Sequence, residues 1–334
     1  MKKMKKIKIY TLSDKRPDFI SIQYKTLVNH IQDDFEYIVL NNSVDDIERS
    51  NSIENTCSTL GIMSIKVILD DEFKFMNGEN HFENGKYCNP NLACAYPIIW
   101  AWQKIITEDN SISVIIDSDM FLIKDISILE TIKDYNFSFV PHYRENMEIF
   151  YPWNGIVIAD IPNMPNPKEM NWGCGRVNGI PVDVGGQGHF YLEKYKKQLK
   201  NLYLSQFSIG DDRSDNVELT LNGCFCYYFN VQKNEVKISQ NPWSENKIFP
   251  HEKQKTNFWE HALPFFLSMV SWAKKYNFPK PTFIDLIKLE SNYQIEDSFI
   301  FHYKAGSNYM PWMNDSYNQS KTESLNKVLD NFKK

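Results

Sequence analysis

Between Lys8 and Ile116 the chain alternates short apolar runs with segments of helical spacing, and this order restricts the fold more than any other feature. Lys8–Leu12, Phe35–Leu40, Ile62–Leu69 and Ile112–Ile116 read as strands, while Phe19–Ile31, Val44–Leu60 and Leu92–Ile106 read as helices. Strands this apolar are covered on both faces. The pattern therefore predicts an α/β fold with a mixed, mainly parallel sheet flanked by helices. Ligands of such sheets bind where the strands end at their carboxyl termini. That directs attention to Ser13–Phe19, Asn41–Ser43 and the residues after Ile116.

Beyond residue 140 the pattern is less regular. Trp153–Ala159 reads as a strand, followed by a loop rich in Pro and Asn to Val182 and a helical segment over Gln187–Leu202. Phe225–Val231 and Val236–Ile238 suit a hairpin, Asn257–Tyr276 an amphipathic helix, and Phe299–Tyr303 a last strand before the loop Lys304–Tyr309. There is no internal repeat and no low-complexity linker. One domain over 1–334 is expected, with a decorated C-terminal half after residue 140.

Composition excludes several classes. With 334 residues, 42% of them hydrophobic, the chain has ample material for a large core. Its 37 basic and 42 acidic residues give a net charge of −5, so no cationic field gathers nucleic acid. The six cysteines are scattered, and Cys224 and Cys226 form a C-x-C without the spacing of a zinc site. Buried thiols in a reducing, cytoplasmic setting are expected. The lysines at positions 2, 3, 5, 6 and 8 resemble the start of a signal peptide, but no apolar run follows before Ser13. Phe258–Ala273 is interrupted by Glu260, His261 and Pro264 and does not span a bilayer. It suits a helix packed on the core; peripheral contact with a membrane, which a lipid-linked acceptor would use, is the alternative.

The sharpest local feature is Ser113–Phe121, in which an apolar strand delivers Asp117 and Asp119 at its carboxyl end. Desolvated carboxylates are costly unless a cation or hydrogen bonds compensate them. Hard divalent cations bound to phosphates commonly take one or two carboxylates from the protein. The plainer reading, a cap on the following turn, does not account for the hydrophobic residues on both sides. Metal binding is favoured.

Val114–Lys124 resembles the D-x-D segment of GT-A fold glycosyltransferases, which use nucleotide sugars and a divalent metal, commonly Mn²⁺. Three further segments are similar to parts of that fold. Tyr10–Asp14 resembles its first nucleotide-contacting strand and turn; Trp153–Asp160 resembles the strand shaping the donor and acceptor pocket; Phe301–Asn308 resembles the loop that adds a metal ligand and grips the diphosphate. The resemblance implies a GT-A (Rossmann-like) catalytic domain, residues 1–140 forming its nucleotide- and metal-binding half and 141–334 its acceptor side. It implies a metal, Mn²⁺ or Mg²⁺, held by Asp117, Asp119 and His302, the imidazole favouring Mn²⁺. It implies diphosphate contacts from Lys304, Gly306 and Asn308, and donor contacts from Thr11 and Ser118; Asp14 and Asn42 are candidates for nucleoside contact because they sit at the carboxyl ends of strands. The partners it implies are a nucleoside diphosphate sugar and a glycan or glycoconjugate acceptor.

Asp183 and Asn154 are the candidates beside the reacting sugar. An inverting transferase needs a carboxylate to take the acceptor proton; Asp160, Asp211 and Asp212 compete with Asp183 for that role, and the stereochemistry stays open. Pro181–Gly188 also reads like the glycine-rich turn of S-adenosylmethionine-dependent methyltransferases, so that activity is the competing enzyme reading. A non-catalytic carbohydrate-binding protein is the competing non-enzyme reading. It rests on the acidic loops and on the aromatic groups His142–Arg144, Tyr151–Asn154 and Asn171–Cys174, whose rings suit sugar faces and equally suit a core. Asp70–Asn91, which has little periodicity, is expected to be a solvated loop.

Overall fold

The computed structural model describes residues 5–14, 16–44, 46–69, 75–76, 79–80, 82–83, 86–87, 90–144, 149–209, 217–222, 227–230, 235–238, 300–303 and 326. They belong to two compact units. One is Met1–Ser118 with Ile126–Tyr203; the other is Asp119–Asp125 with Leu204–Lys334.

The early strands are β1 (Ile7–Ser13), β2 (Phe35–Asn41), β3 (Met63–Lys66) and the two-residue β4 to β7 (Phe75–Met76, Glu79–Asn80, Phe82–Glu83, Lys86–Tyr87). Next come β8 (Ile112–Ile116), β9 (Met120–Leu122), β10 (Phe137–Arg144), β11 (Ile149–Asp160), β12 (Gly175–Val177) and β13 (Ile180–Val182). The last are β14 (Asn201–Ile209), β15 (Val217–Asn222), β16 (Tyr227–Asn230), β17 (Glu235–Ile238) and β18 (Ile300–Tyr303). The helices are α1 (Pro17–His30), α2 (Ile47–Leu60), α3 (Pro90–Lys104), α4 (Ile128–Ile132) and α5 (Gly188–Tyr195).

In the first unit the strand order is β3–β2–β1–β8–β11–β10–β14. The first four strands are mutually parallel. β11 then runs antiparallel to both β8 and β10, and residues 201–203 of β14 lie parallel to β10. This is the mixed, mainly parallel sheet with flanking helices that the alternation predicts. On one face Tyr10, Ile38, Ile115, Phe137, Phe139 and Val157 join Trp102 of α3 and Tyr191 of α5 in a single core cluster. Ile9, Val39, Val114 and Ile116, which alternate with those residues, are buried too, so neither face meets solvent.

Local chemistry sets the helix ends. Asp46 accepts from the backbone of Arg49 at 3.0 Å to cap α2, and Gly61 closes that helix in the left-handed region at φ 67°. α4 is capped locally by Ser127, whose hydroxyl accepts from the N–H of Glu130 at 3.1 Å, and also from a distant part of the chain: Asp33 accepts from the N–H of Ile128 at 2.5 Å and of Leu129 at 3.3 Å.

Several elements differ from the sequence expectation. The helix expected over 187–202 stops at Tyr195, because Asn136 and Lys200 exchange hydrogen bonds that start β14 beside β10. β10 went unrecognised because Pro141 interrupts its apolar run. That proline sits where the register with β11 shifts, the kind of position a strand proline tolerates. The expected loop to Val182 contains the hairpin β12–β13, and the expected loop over 70–91 contains the hairpins β4–β5 and β6–β7.

In the second unit β14 pairs antiparallel with β15 over residues 204–209, β15 with β18, and β18 with β9. β16 and β17 form the late hairpin expected from the sequence. The amphipathic segment 257–276 and the loop 304–309 lie outside the described residues. Among the described residues no helix is long and apolar enough to cross a membrane.

Candidate functional site at the strand ends

The parallel strands β1, β2 and β8 end side by side, with Thr11 opposite Ile116 and Ser13 opposite Asn41. Asp14, Asn42 and Asp117 are the residues that follow these strands. The sequence expectation thus brings Thr11, Asp14, Asn42 and Asp117 to one edge of one sheet. Thr11 is buried within β1, and Asp14 and Asp117 are half-buried. Ser43 donates its hydroxyl to the Asp14 carbonyl and the N–H of Asn42 donates to Ser13 at 2.9 Å, so the ends of β1 and β2 are tied together.

Asn42 is 2% exposed, and its side-chain amide donates to the carbonyl of Ala93 in α3 at 2.9 Å. That carbonyl would ordinarily receive the helical N–H of residue 97, which is a proline and has none. Asn42 therefore secures the first turns of α3.

Asp117 is held through its backbone from two sides. Its N–H donates to the carbonyl of Gly155 at 2.8 Å, and its carbonyl accepts from the side chain of Gln23 at 2.7 Å. Sequence reading missed Gln23. The available signal was a polar residue on the buried face of α1, in register with Phe19, Ile20, Thr26, Leu27 and His30. Arg16 was missed as well: it is buried just after β1, forks onto Asp18 at 2.9 and 2.7 Å, and lies 4.0 Å above the ring of Phe19.

Ser118 is half-buried, whereas Asp119 is only 3% exposed and is followed by the buried residues Met120 and Phe121. Within the second unit, β9 pairs with β18 so that Met120 stands opposite His302. A residue 183 positions later in the chain is thereby brought into register one step from Asp119. His302 is described here by its backbone alone; Lys304, Gly306 and Asn308 lie outside the described residues. Among the described residues no group of three or more His, Cys, Asp or Glu side chains is gathered to hold a metal ion. Asp117 in the first unit and Asp119 in the second each carry a carboxylate, an oxygen donor of the kind hard divalent cations take.

β11 shapes the neighbouring part of this edge. Phe139 pairs with Val157 and Pro141 with Pro152, so residues 153–156 bulge opposite Val140 alone. The bulge carries the buried Asn154, and also Gly155, which holds Asp117. The Trp153 ring covers Gly155 and stacks with His142 at 5.3 Å and 8°. Asp183 joins the start of the same strand: its N–H donates to the Tyr151 hydroxyl at 3.4 Å, and its carboxylate accepts from Val184 at 2.8 Å. Burial raises the pKa of the Tyr151 phenol against the opposing pull of Arg144, which lies 5.7 Å from its ring.

Three expectations are corrected here. Asp160 is not a base for this edge: it pairs with Ile112, at the opposite end of β8 and about 16 Å of strand from Asp117. It forms an ion pair with Lys5. Trp172 and Tyr151 are fully buried, so they pack the core and offer no face to a sugar. The glycine-rich turn is not a ligand cradle of the parallel sheet. Its strand, β13, belongs to a separate two-stranded hairpin, and Pro152, Val182 and Met170 crowd the α-carbons of Gly185, Gly186 and Gly188. Asp211 and Asp212 lie outside the described residues.

No protein family matches the chain, and no curated protein matches it in sequence. Among solved structures, similarity is found to two of the galactosyltransferase LgtC, one of an active-site mutant and one in complex with donor and acceptor sugar analogs. Each is 11% identical, with a TM-score of 0.30 over 58% of this chain. The chain spans 66% of the length of these structures, just under two thirds.

Proposed function

We propose that this chain is a metal-dependent glycosyltransferase that moves a sugar from a nucleoside diphosphate donor to a hydroxyl of a glycan or related acceptor. The observation that carries the reading is Asp119, a carboxylate buried at a strand start whose antiparallel partner carries His302 opposite the next residue. A carboxylate is the oxygen donor that a hard divalent cation bound to a diphosphate commonly takes from a protein.

Asp117, Asp119 and His302 would hold the metal, which offsets the charge that develops on the departing nucleoside diphosphate. Asp117 enters with its backbone already fixed, so only its side-chain torsions are left to be ordered in binding. Lys304, Gly306 and Asn308 would receive the diphosphate, and Thr11, Asp14 and Ser118 the donor, with Asn42 acting through its support of α3. Asn154 and Asp183 sit on or against β11 and would meet the reacting sugar. Asp183 would accept the acceptor proton if the anomeric configuration inverts.

The methyltransferase reading loses its support because the glycine α-carbons are packed by side chains and backbone. Among the described residues, the carbohydrate-binding reading keeps the His142–Trp153 stack. Thermal shift with UDP-, GDP- and CMP-sugars, with and without Mn²⁺, and with S-adenosylmethionine tests all three. Stabilisation by one nucleotide sugar only when Mn²⁺ is present, and lost in Asp119→Ala, is expected. A response to S-adenosylmethionine alone, or to free glycan with no nucleotide response, overturns the proposal.

A further inference from the structure

Gln23 has no exposed surface, and a glutamine so placed is costly unless both ends of its amide are satisfied. Both are. Its Nε2 donates to the Asp117 carbonyl at 2.7 Å, and its Oε1 accepts from the Tyr37 hydroxyl at 2.6 Å. The carbonyl can only accept, so it must face the NH₂ end, and the phenol must then donate. Burial holds the pKa of the Tyr37 phenol well above its ordinary value, which keeps that donor protonated.

The position of this chain of hydrogen bonds gives it a role. The register of β1 with β8 ends at Thr11 and Ile116, and Gln23 takes up the carbonyl one residue beyond that last pair. With the Asp117 N–H on Gly155, the peptide planes on both sides of the Asp117 α-carbon are anchored. Two fixed planes fix φ and ψ, and those set the direction of the Cα–Cβ bond from which the carboxylate extends.

We infer that Gln23 is a positioning residue that aims the Asp117 carboxylate at the metal, with Tyr37 setting the orientation of its amide. This rests on the metal role proposed for Asp117. Groups that orient metal ligands in this way commonly affect affinity by about ten-fold to a hundred-fold.

Titration of the full chain with Mn²⁺ alone, following free Mn²⁺ by electron paramagnetic resonance, tests the inference. Wild type is expected to bind saturably, and Gln23→Met to bind about ten-fold or more weakly. Tyr191→Phe removes a comparable buried hydrogen bond, to the Pro165 carbonyl at 2.6 Å, and is expected to lower urea stability while leaving Mn²⁺ affinity unchanged. Should Gln23→Met not fold, Tyr37→Phe serves: it frees the amide to rotate, and an intermediate loss of affinity is expected. Wild-type affinity in a folded Gln23→Met or in Tyr37→Phe overturns this inference alone. Absence of saturable Mn²⁺ binding by wild type overturns the metal reading, and the inference with it.

Discussion

Asn42 stands in for the hydrogen bond that Pro97 withholds from Ala93, donating to that carbonyl at 2.9 Å from the far side of a β–α loop. The two residues are therefore coupled through an acceptor that belongs to neither. Asn42→Ala is expected to cost about 1–3 kcal/mol, the desolvation penalty of a carbonyl left unpaired. Pro97→Ala restores the helical N–H, so in that background the same change is expected to cost about 1 kcal/mol less or better. A urea double-mutant cycle measures the coupling; additive effects would show that Ala93 is satisfied by other means.

Gly155 is needed for the space it leaves. A Cβ there would lie 2.1 to 2.5 Å from three atoms of the Trp153 ring, well inside contact distance. Gly155→Ala is expected to expel the indole and cost about 1–3 kcal/mol by overpacking. Fluorescence, compared with that of Trp153→Phe, reports the displaced ring as a red-shifted emission. An unaltered spectrum with unchanged stability would mean that the ring yields without cost.

Two glycines with similar backbone angles should respond differently. Gly61, at φ 67°, has open space around its α-carbon, so Gly61→Ala pays only for the left-handed backbone, about 1–2 kcal/mol. Gly185, at φ 85°, has the Pro152 carbonyl oxygen 2.0 Å from where a Cβ would lie. Gly185→Ala therefore adds a backbone clash to the same strain and is expected to lose about 3 kcal/mol or more. Equal losses in urea melts would show that the turn at Gly185 moves freely away from β11.

Burial pushes the pKa of the Cys57 thiol from the ordinary 9.0 up to about 11. The native state then favours the protonated form, so this contribution to stability is complete below pH 9 and is lost as pH rises toward 11. Wild type is expected to lose more stability than Cys57→Ala between those limits. Because the thiolate is the nucleophile, Cys57 should also react with a thiol reagent at pH 8 only as fast as the chain opens. Parallel stability profiles for the two proteins would remove Cys57 from the alkaline response.

The early half of the fold was legible because independent signals agree there. Apolar runs, helical spacing and turn residues point to the same β1, α1, β2, α2 and β8. Asp117 and Asp119 stood out because a charged pair follows a strand with no polar surface. What stayed hidden depends on partners far away in sequence. Gln23 looks like an ordinary helix residue until Tyr37 and Asp117 are seen on its two sides. Asn42 looks like a ligand contact until Pro97 is seen to leave Ala93 unfilled. Asp160 ends a strand as Asp117 does, but β11 runs the other way, and strand direction is not written in composition. Tyr151 and Trp172 illustrate a different limit: an aromatic ring suits a sugar and a core equally, and only the neighbours decide.

The placement of β1 between β2 and β8 also dictates when this edge can exist. β2 follows β1 closely, but the other flank of β1 waits for Ile112–Ile116, about a hundred residues later in synthesis. At about 5–20 residues per second, the nascent chain carries that bare flank for roughly 5–20 seconds on the ribosome. Only then does Asp117 emerge, and Gly155, its second anchor, later still. The edge that would do the chemistry is thus completed late, after an interval in which an apolar strand is open to the wrong partners and to the chaperones that cover such strands.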